Sequence, residues 1–304
     1  SLQRAGFDDA GGSAGLTRLP ATERAFTYGL RPYFGLSFFD PNQPVQLSGG
    51  AEASAAFRIR PGLVLSGAVR QRILPWGPRD YEERTDDEVP VVRRNSRLYG
   101  AHGGPVLANL QLAGYARPAR DVYGRLTVGY LERMYGGVSG EVLWKRVESP
   151  LGLGLEANYA VERDYDQRFG FDDYEVATGH ASAYYDFRNG FHGQVDAGRY
   201  LAGDWGATVA LDREFDNGWS VGGYFTLTDI PFEDYGEGSF DKGIRLSIPI
   251  DFVLGRPTPR VNTFALSSLN RDGGERLRVQ GRLYDIVREG HYGDLEDSWG
   301  RFWR

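Results

Sequence analysis

The side chains from which a hydrolytic site could be assembled are few. His180 and Ser182 share one parity of a single alternating stretch, Asp186 lies further along it, and the other histidines are His102, His192 and His291. A nucleophile, a base and an orienting acid must converge within hydrogen-bond reach. Residues two apart on an extended strand are separated by about 6.5–7 Å along its axis, so this trio does not converge by itself. No catalytic residue is expected, and the chain is not expected to be an enzyme. It contains no cysteine, which excludes thiolate nucleophiles, disulfides and cysteine-held metals. The acidic run DYEERTDDE at 80–88 could gather Ca²⁺, but it lacks EF-hand spacing and reads as a solvated loop. Neither a metal nor a cofactor is expected.

What remains is charge placed at regular intervals. Net charge is −6, which argues against a nucleic-acid surface. The regularity lies in alternation. In Asn217–Phe252 the residues Trp219, Val221, Phe225 and Leu227 alternate with Ser220, Tyr224, Thr226 and Thr228. Further on, Ile244, Leu246 and Ile248 alternate with Arg245, Ser247 and Pro249. Period 2 means strands with one apolar and one polar face. The pattern recurs over Ala25–Phe39, Val45–Ile59, Leu63–Ile73, Leu107–Tyr115, Val122–Met134, Val138–Val147, Leu151–Val161, Val176–Phe187, Phe191–Leu201 and Trp205–Phe215. Val261–Ser267 and Glu275–Tyr284 complete about fourteen strands, with 12–16 plausible.

Connections after even-numbered strands are short (Arg60-Pro61-Gly62, the Asn-Gly turn at Arg188-Asn189-Gly190, Asp216-Asn217-Gly218). The long ones, 75–105, 163–174 and 231–239, follow odd-numbered strands. No stretch has the roughly 18–20 continuous apolar residues of a membrane helix. Long alternating strands with turns short at one end and long at the other predict an all-β fold: a transmembrane, antiparallel, up-and-down β-barrel. Its apolar parity would face lipid. Its polar parity would line the lumen with Arg31, Glu52, Arg58, Arg70, Arg72, Glu141, Lys145, Glu156, Asp196, Asp212, Arg245, Asp251, Arg278 and Arg282.

The expected organisation is a periplasmic N-terminal tail or linker at 1–24, the barrel at 25–287 and a C-terminal periplasmic segment at 288–304. In that last segment Leu295, Trp299, Phe302 and Trp303 share one face of a short amphipathic helix. With Met134 the only methionine, the chain is expected to be a processed product.

The residues RDGG at 271–274, RLRVQGRLYDIVREG at 276–290 and WGRFWR at 299–304 resemble the C-terminal region of the YjbH family of outer-membrane exopolysaccharide proteins. The resemblance implies a β-barrel component in the bacterial outer membrane that takes part in exopolysaccharide production or export. It assigns no catalytic residues, and it implies that this barrel is one part of a longer protein. The implied partners are membrane lipid, the exopolysaccharide, and periplasmic export partners or further domains of a longer precursor. Polysaccharide contacts are then expected at Glu52, Arg58, Arg70, Arg72, Arg245, Arg276, Arg278 and Arg282, with the first and last strands bringing the arginines together at a seam. A diffusion porin for small solutes, a closed scaffold and a barrel enzyme are the alternatives.

Overall fold

The computed structural model describes residues 25–38, 45–74, 83, 85, 89–99, 103–215, 218–231, 240–249, 261–267 and 272–288. The expected N-terminal tail, the acidic run save for Glu83 and Thr85, His102, Asp251, His291 and the aromatic face of 295–303 lie outside them.

Thirteen strands are present among these residues: β1 (Phe26–Phe38), β2 (Val45–Arg60), β3 (Leu63–Leu74), β4 (Pro105–Ala119), β5 (Val122–Tyr130), β6 (Tyr135–Lys145), β7 (Leu151–Arg163), β8 (Phe171–Asp186), β9 (Phe191–Arg199), β10 (Trp205–Glu214), β11 (Ser220–Thr228), β12 (Asp241–Pro249) and β13 (Val261–Ser267). Each pairs antiparallel with the next, in one sheet whose spatial order is the chain order. That order follows from the turns, since short connections leave a strand only its sequence neighbour to pair with. Two connections are only two residues long, at Pro61-Gly62 and at Arg120-Asp121. Gly62 has φ +79°, and a Cβ there would lie 2.5 Å from the Tyr115 carbonyl oxygen, so glycine is required. At the β8–β9 hairpin the positive φ angles fall on Arg188 and Gly190 rather than on an Asn-Gly pair. The Asp186 carboxylate accepts from the Arg188 N–H, and the Asn189 side chain from the Phe191 N–H, which replaces the expected two-residue turn by a longer one. The connections 75–104, 164–170 and 229–240 lie at the opposite end, with shorter ones at 39–44, 131–134 and 200–204; contrary to the expected asymmetry, an eleven-residue connection, 250–260, joins β12 to β13 at the short-turn end.

The two faces of the sheet differ as the alternation requires, with polarity inverted relative to a soluble domain. Leu126, Val142, Leu155, Leu211 and Ile244 are exposed. Arg125, Thr127, Ser139, Glu141, Glu156, Asn158, Thr178, His180, Ser182 and Asp196 are buried.

The expected fourteenth strand is absent. Residues 275–284 pair with no strand; the chain runs irregularly from Asp272 and enters a single helical turn and a half, α1 (Leu283–Arg288). α1 therefore falls within the range expected for the barrel wall. Leu277, Val279, Leu283 and Tyr284, expected in part to face outward, are buried instead. Leu277 and Val279 join Val92, Leu131, Met134, Tyr135, Val176 and Leu201 in one apolar cluster. Leu283 and Tyr284 join Leu143 and Tyr184 in another, where the two tyrosine rings stack at 3.8 Å. Alternation describes two unlike faces; it does not say that the partner of those faces is another strand.

Segment 272–288 spans the interior from end to end. Its start meets the end that carries the long connections: Gly274 N–H donates to Asp204 (2.8 Å) and Leu201 N–H to the Glu275 carbonyl (2.9 Å). Its finish meets the short-turn end, where Arg288 pairs with Glu214. Between them it touches Tyr115 of β4, Glu141 of β6, Glu156 of β7 and Asp196 of β9, and Gln280 borders residues of β1, β2 and β3. On a flat sheet β1 and β10 would stand about 43 Å apart at ~4.8 Å per strand. One narrow segment reaching both requires the sheet to curl around it.

Candidate functional site

The interior is built around a run of charge on successive strands. Arg125 of β5 donates to Glu141 (2.9 Å), Thr127 and Ser139 (3.1 Å each). Its guanidinium also lies 3.7 Å from Glu156. Register explains the grouping: Arg125 is directly opposite Glu141, and Glu141 opposite Glu156. Two carboxylates side by side are unfavourable unless cations flank them. Arg125 supplies one such cation and segment 272–288 the others. Arg282 donates to Glu156 (3.2 Å) and Arg276 to Asp196 (2.8 Å), while the Leu283 N–H donates to Glu141 (3.1 Å).

A second cluster pins the segment's start to the long-connection end. Asp272 accepts the N–H groups of Val92 (2.7 Å), Arg93 (2.7 Å) and Arg94 (3.1 Å). Arg93 grips Glu132 in a two-pronged pair (2.8 and 2.9 Å), reaches Glu275 (3.1 Å) and the Arg276 carbonyl (3.1 Å), and lies over the Tyr135 ring. Burial opposes ionisation of Glu132, but Arg93 and the Arg278 N–H outweigh it and hold its carboxyl below the ordinary carboxylate range. Asp204 goes the other way: burial raises its pKa, only partly countered by the Gly274 N–H. Asp272 and Gly274 thus tie segment 272–288 to the 92–94 stretch and to the 200–204 turn.

The eight expected contact residues do not form one arginine row. Glu52 meets Arg70 and Arg31, accepting from Arg31 Nε at 2.7 Å and Arg70 Nε at 2.5 Å. Arg58 and Arg72 share that face further along β2 and β3, opposite Val64 and Gly50. Arg245 pairs with Asp212 across the β10–β12 region (2.8 Å). Arg276 and Arg282 are consumed by Glu156 and Asp196, and Arg278 lies 3.7 Å from Glu275 of its own segment, its side chain 72% exposed. They sit apart because 275–284 is not a strand beside β1.

The histidine trio does not assemble either. Ser182 donates to Asp196 (2.5 Å), His180 packs edge-on against Tyr200 (4.7 Å), and Asp186 faces His192 at 3.9 Å. Arg93, Arg125, Glu132, Asp204 and Asp272 were missed. Alternation with Leu126 and Val128 was the available signal for Arg125; the others lie in loops, where no period exists.

The family model described as "Exopolysaccharide biosynthesis protein YbjH" matches residues 5–289. The chain belongs to the YjbH family. It is 37% identical over 209 residues to the "Uncharacterized lipoprotein YjbH" of Escherichia coli (strain K12), an alignment covering 67% of this chain and 30% of that protein. The chain thus spans about a third of its relative's length. Among solved structures it is similar to Salmonella typhi OmpF in complex with daunomycin, at TM-score 0.42 and 9% identity, over 74% of this chain and 86% of that one.

Proposed function

We propose that the chain forms an outer-membrane β-barrel that takes part in exopolysaccharide production or export across that membrane. The observation that carries the membrane half is the inverted polarity. Leu155 is 65% and Leu126 61% exposed, while Arg125 and Asp196 are each 3% exposed. Water around the outer face would leave a continuous apolar belt solvated, whereas lipid makes that belt favourable. Closure follows from the same surroundings. Unpaired N–H and C=O groups at the β1 and β13 edges cannot rest in hydrocarbon, so those edges meet directly or through a further strand. Membership of the YjbH family supports the exopolysaccharide half.

Segment 272–288 lies in the interior against several strands, so it narrows the path of a polymer. That obstruction favours a second reading, a closed scaffold on which periplasmic partners dock, over a permanently open diffusion porin. The test is single-channel conductance of the refolded chain in a planar bilayer, with and without the host's exopolysaccharide. Current that the polymer blocks supports export. Steady silence from an inserted barrel supports the scaffold. Current indifferent to polymer overturns both in favour of the porin. Quenching of Trp144 and Trp205, which sit on the outer face, by brominated lipid checks insertion independently.

A further inference from the structure

The inner face is not filled everywhere. Beside β1, β2 and β3 it leaves an open cleft of about 360 Å³, bordered by Arg31, Glu52, Ser54, Ser66, Asn109 and Gln280. That lies near the lower end of the roughly 300–1,000 Å³ of small-ligand sites. The room exists because inward positions of β2 and β3 carry small side chains there.

Its chemistry is specific. The Glu52 carboxylate is 2% exposed and serves two guanidiniums, Arg31 and Arg70, so the group keeps one positive charge in excess. Arg31 is the accessible member, its side chain 63% exposed. Asn109 borders the cleft with an amide that makes no side-chain hydrogen bond with any described residue. An amide so placed can exchange water for a ligand hydroxyl. Gln280 offers a second amide from segment 272–288, and Ser54 and Ser66 offer hydroxyls.

We propose that this cleft binds a sugar unit bearing a carboxylate, with the carboxylate on Arg31 and ring hydroxyls on Asn109, Gln280 and the serines. Arginine suits the first contact because its planar fork matches a carboxylate. The proposal rests on the polysaccharide reading above and narrows it to acidic sugars. Of the arginines expected as polysaccharide contacts, only Arg70 belongs to the site, where it positions Glu52 rather than meeting the ligand; Arg31 was expected only to line the lumen.

The experiment is calorimetric titration of the full chain in detergent micelles with a short oligogalacturonate, and with the matching neutral oligogalactose. Saturable binding of the acidic oligomer, at least tenfold tighter than the neutral one and weakened by salt, is the expected result. Arg31→Gln and Gln280→Ala remove exposed side chains and should each weaken it, Arg31→Gln at least tenfold; Arg188→Gln, in the β8–β9 turn, should not. No saturable binding, equal binding of the neutral oligomer, or an Arg31→Gln variant that binds as the parent does would overturn the site. Failure here is separable from failure of the function. If deleting the chain from its host lowers secreted polymer while the pure chain ignores uronate, the site is wrong and the function stands. Binding without any effect on polymer means the reverse.

Discussion

Replacing Glu156 and Asp196 by their amides should release segment 272–288. The two carboxylates hold Arg276 and Arg282, and their side chains are 2% and 4% exposed. Removing one partner of a buried ion pair costs about 3–5 kcal/mol. The two pairs share neighbours and do not add fully. The amides also keep some hydrogen bonding, so about 3 kcal/mol is a fair lower figure for the double variant. At 1.4 kcal/mol per factor of ten, that raises the undocked population about 10²-fold. Trypsin reads this population directly, because Arg276, Arg278 and Arg282 remain in the segment as cleavage sites. Where opening and reclosing are fast relative to cleavage, the rate follows the open fraction. In vesicles, Glu156→Gln with Asp196→Asn should therefore be cut in this segment about 10²-fold faster than the parent, and bilayers carrying it should conduct. Glu175→Gln, which removes only an outer-face contact with Tyr159, is the control and should be cut at the parental rate. A double variant that keeps its strand signal, is cut within threefold of the parent rate and stays silent would refute the idea that these ions latch the segment.

Three further outcomes follow from other parts of the molecule. Leu155→Arg should cost about 2–4 kcal/mol of folding stability in bilayers if its face meets lipid near the midplane, against roughly 0.5 or less for an exposed leucine in water; denaturant midpoints in vesicles decide between them. Asp272→Asn weakens a charged acceptor shared by three N–H groups, worth about 1.5–3 kcal/mol, so hydrogen exchange at Val92 and Arg93 should quicken about 10–100-fold while β6 and β7 stay protected. Acid should loosen the Arg93–Glu132 latch. The Glu132 pKa is lower folded than unfolded, so its stabilisation is complete above the unfolded value near 4.3 and is lost as pH falls through the folded value. Pepsin cleavage within 89–99 should thus rise as pH is lowered below about 4, and Glu132→Gln should abolish that pH dependence; a step at neutral pH would contradict the assignment.

The strands and the sense of their two faces were legible in the sequence for a local reason. Successive side chains of an extended chain point oppositely whatever surrounds it, so Leu153 and Leu155 against Glu156 and Asn158 already separate outside from inside. Chain-order pairing was legible too, because Pro61-Gly62 and the turn at 188–190 leave no other neighbour within reach. Residues 275–284 carry the same alternation and are no strand. Their Leu277 and Val279 pack into an apolar cluster of loop and wall residues, and their Arg276 and Arg282 enter an acidic wall. An extended segment between unlike surfaces alternates as a strand does, so only the tertiary structure could decide between them. It alone could also place Arg93 on Glu132 and Asp272 on Val92, contacts across 39 and 180 residues of chain. Period and turn chemistry act over neighbouring residues and were written in the sequence. Which charge meets which depends on how the sheet curls and where the chain re-enters it, and that was settled only when every strand was in place.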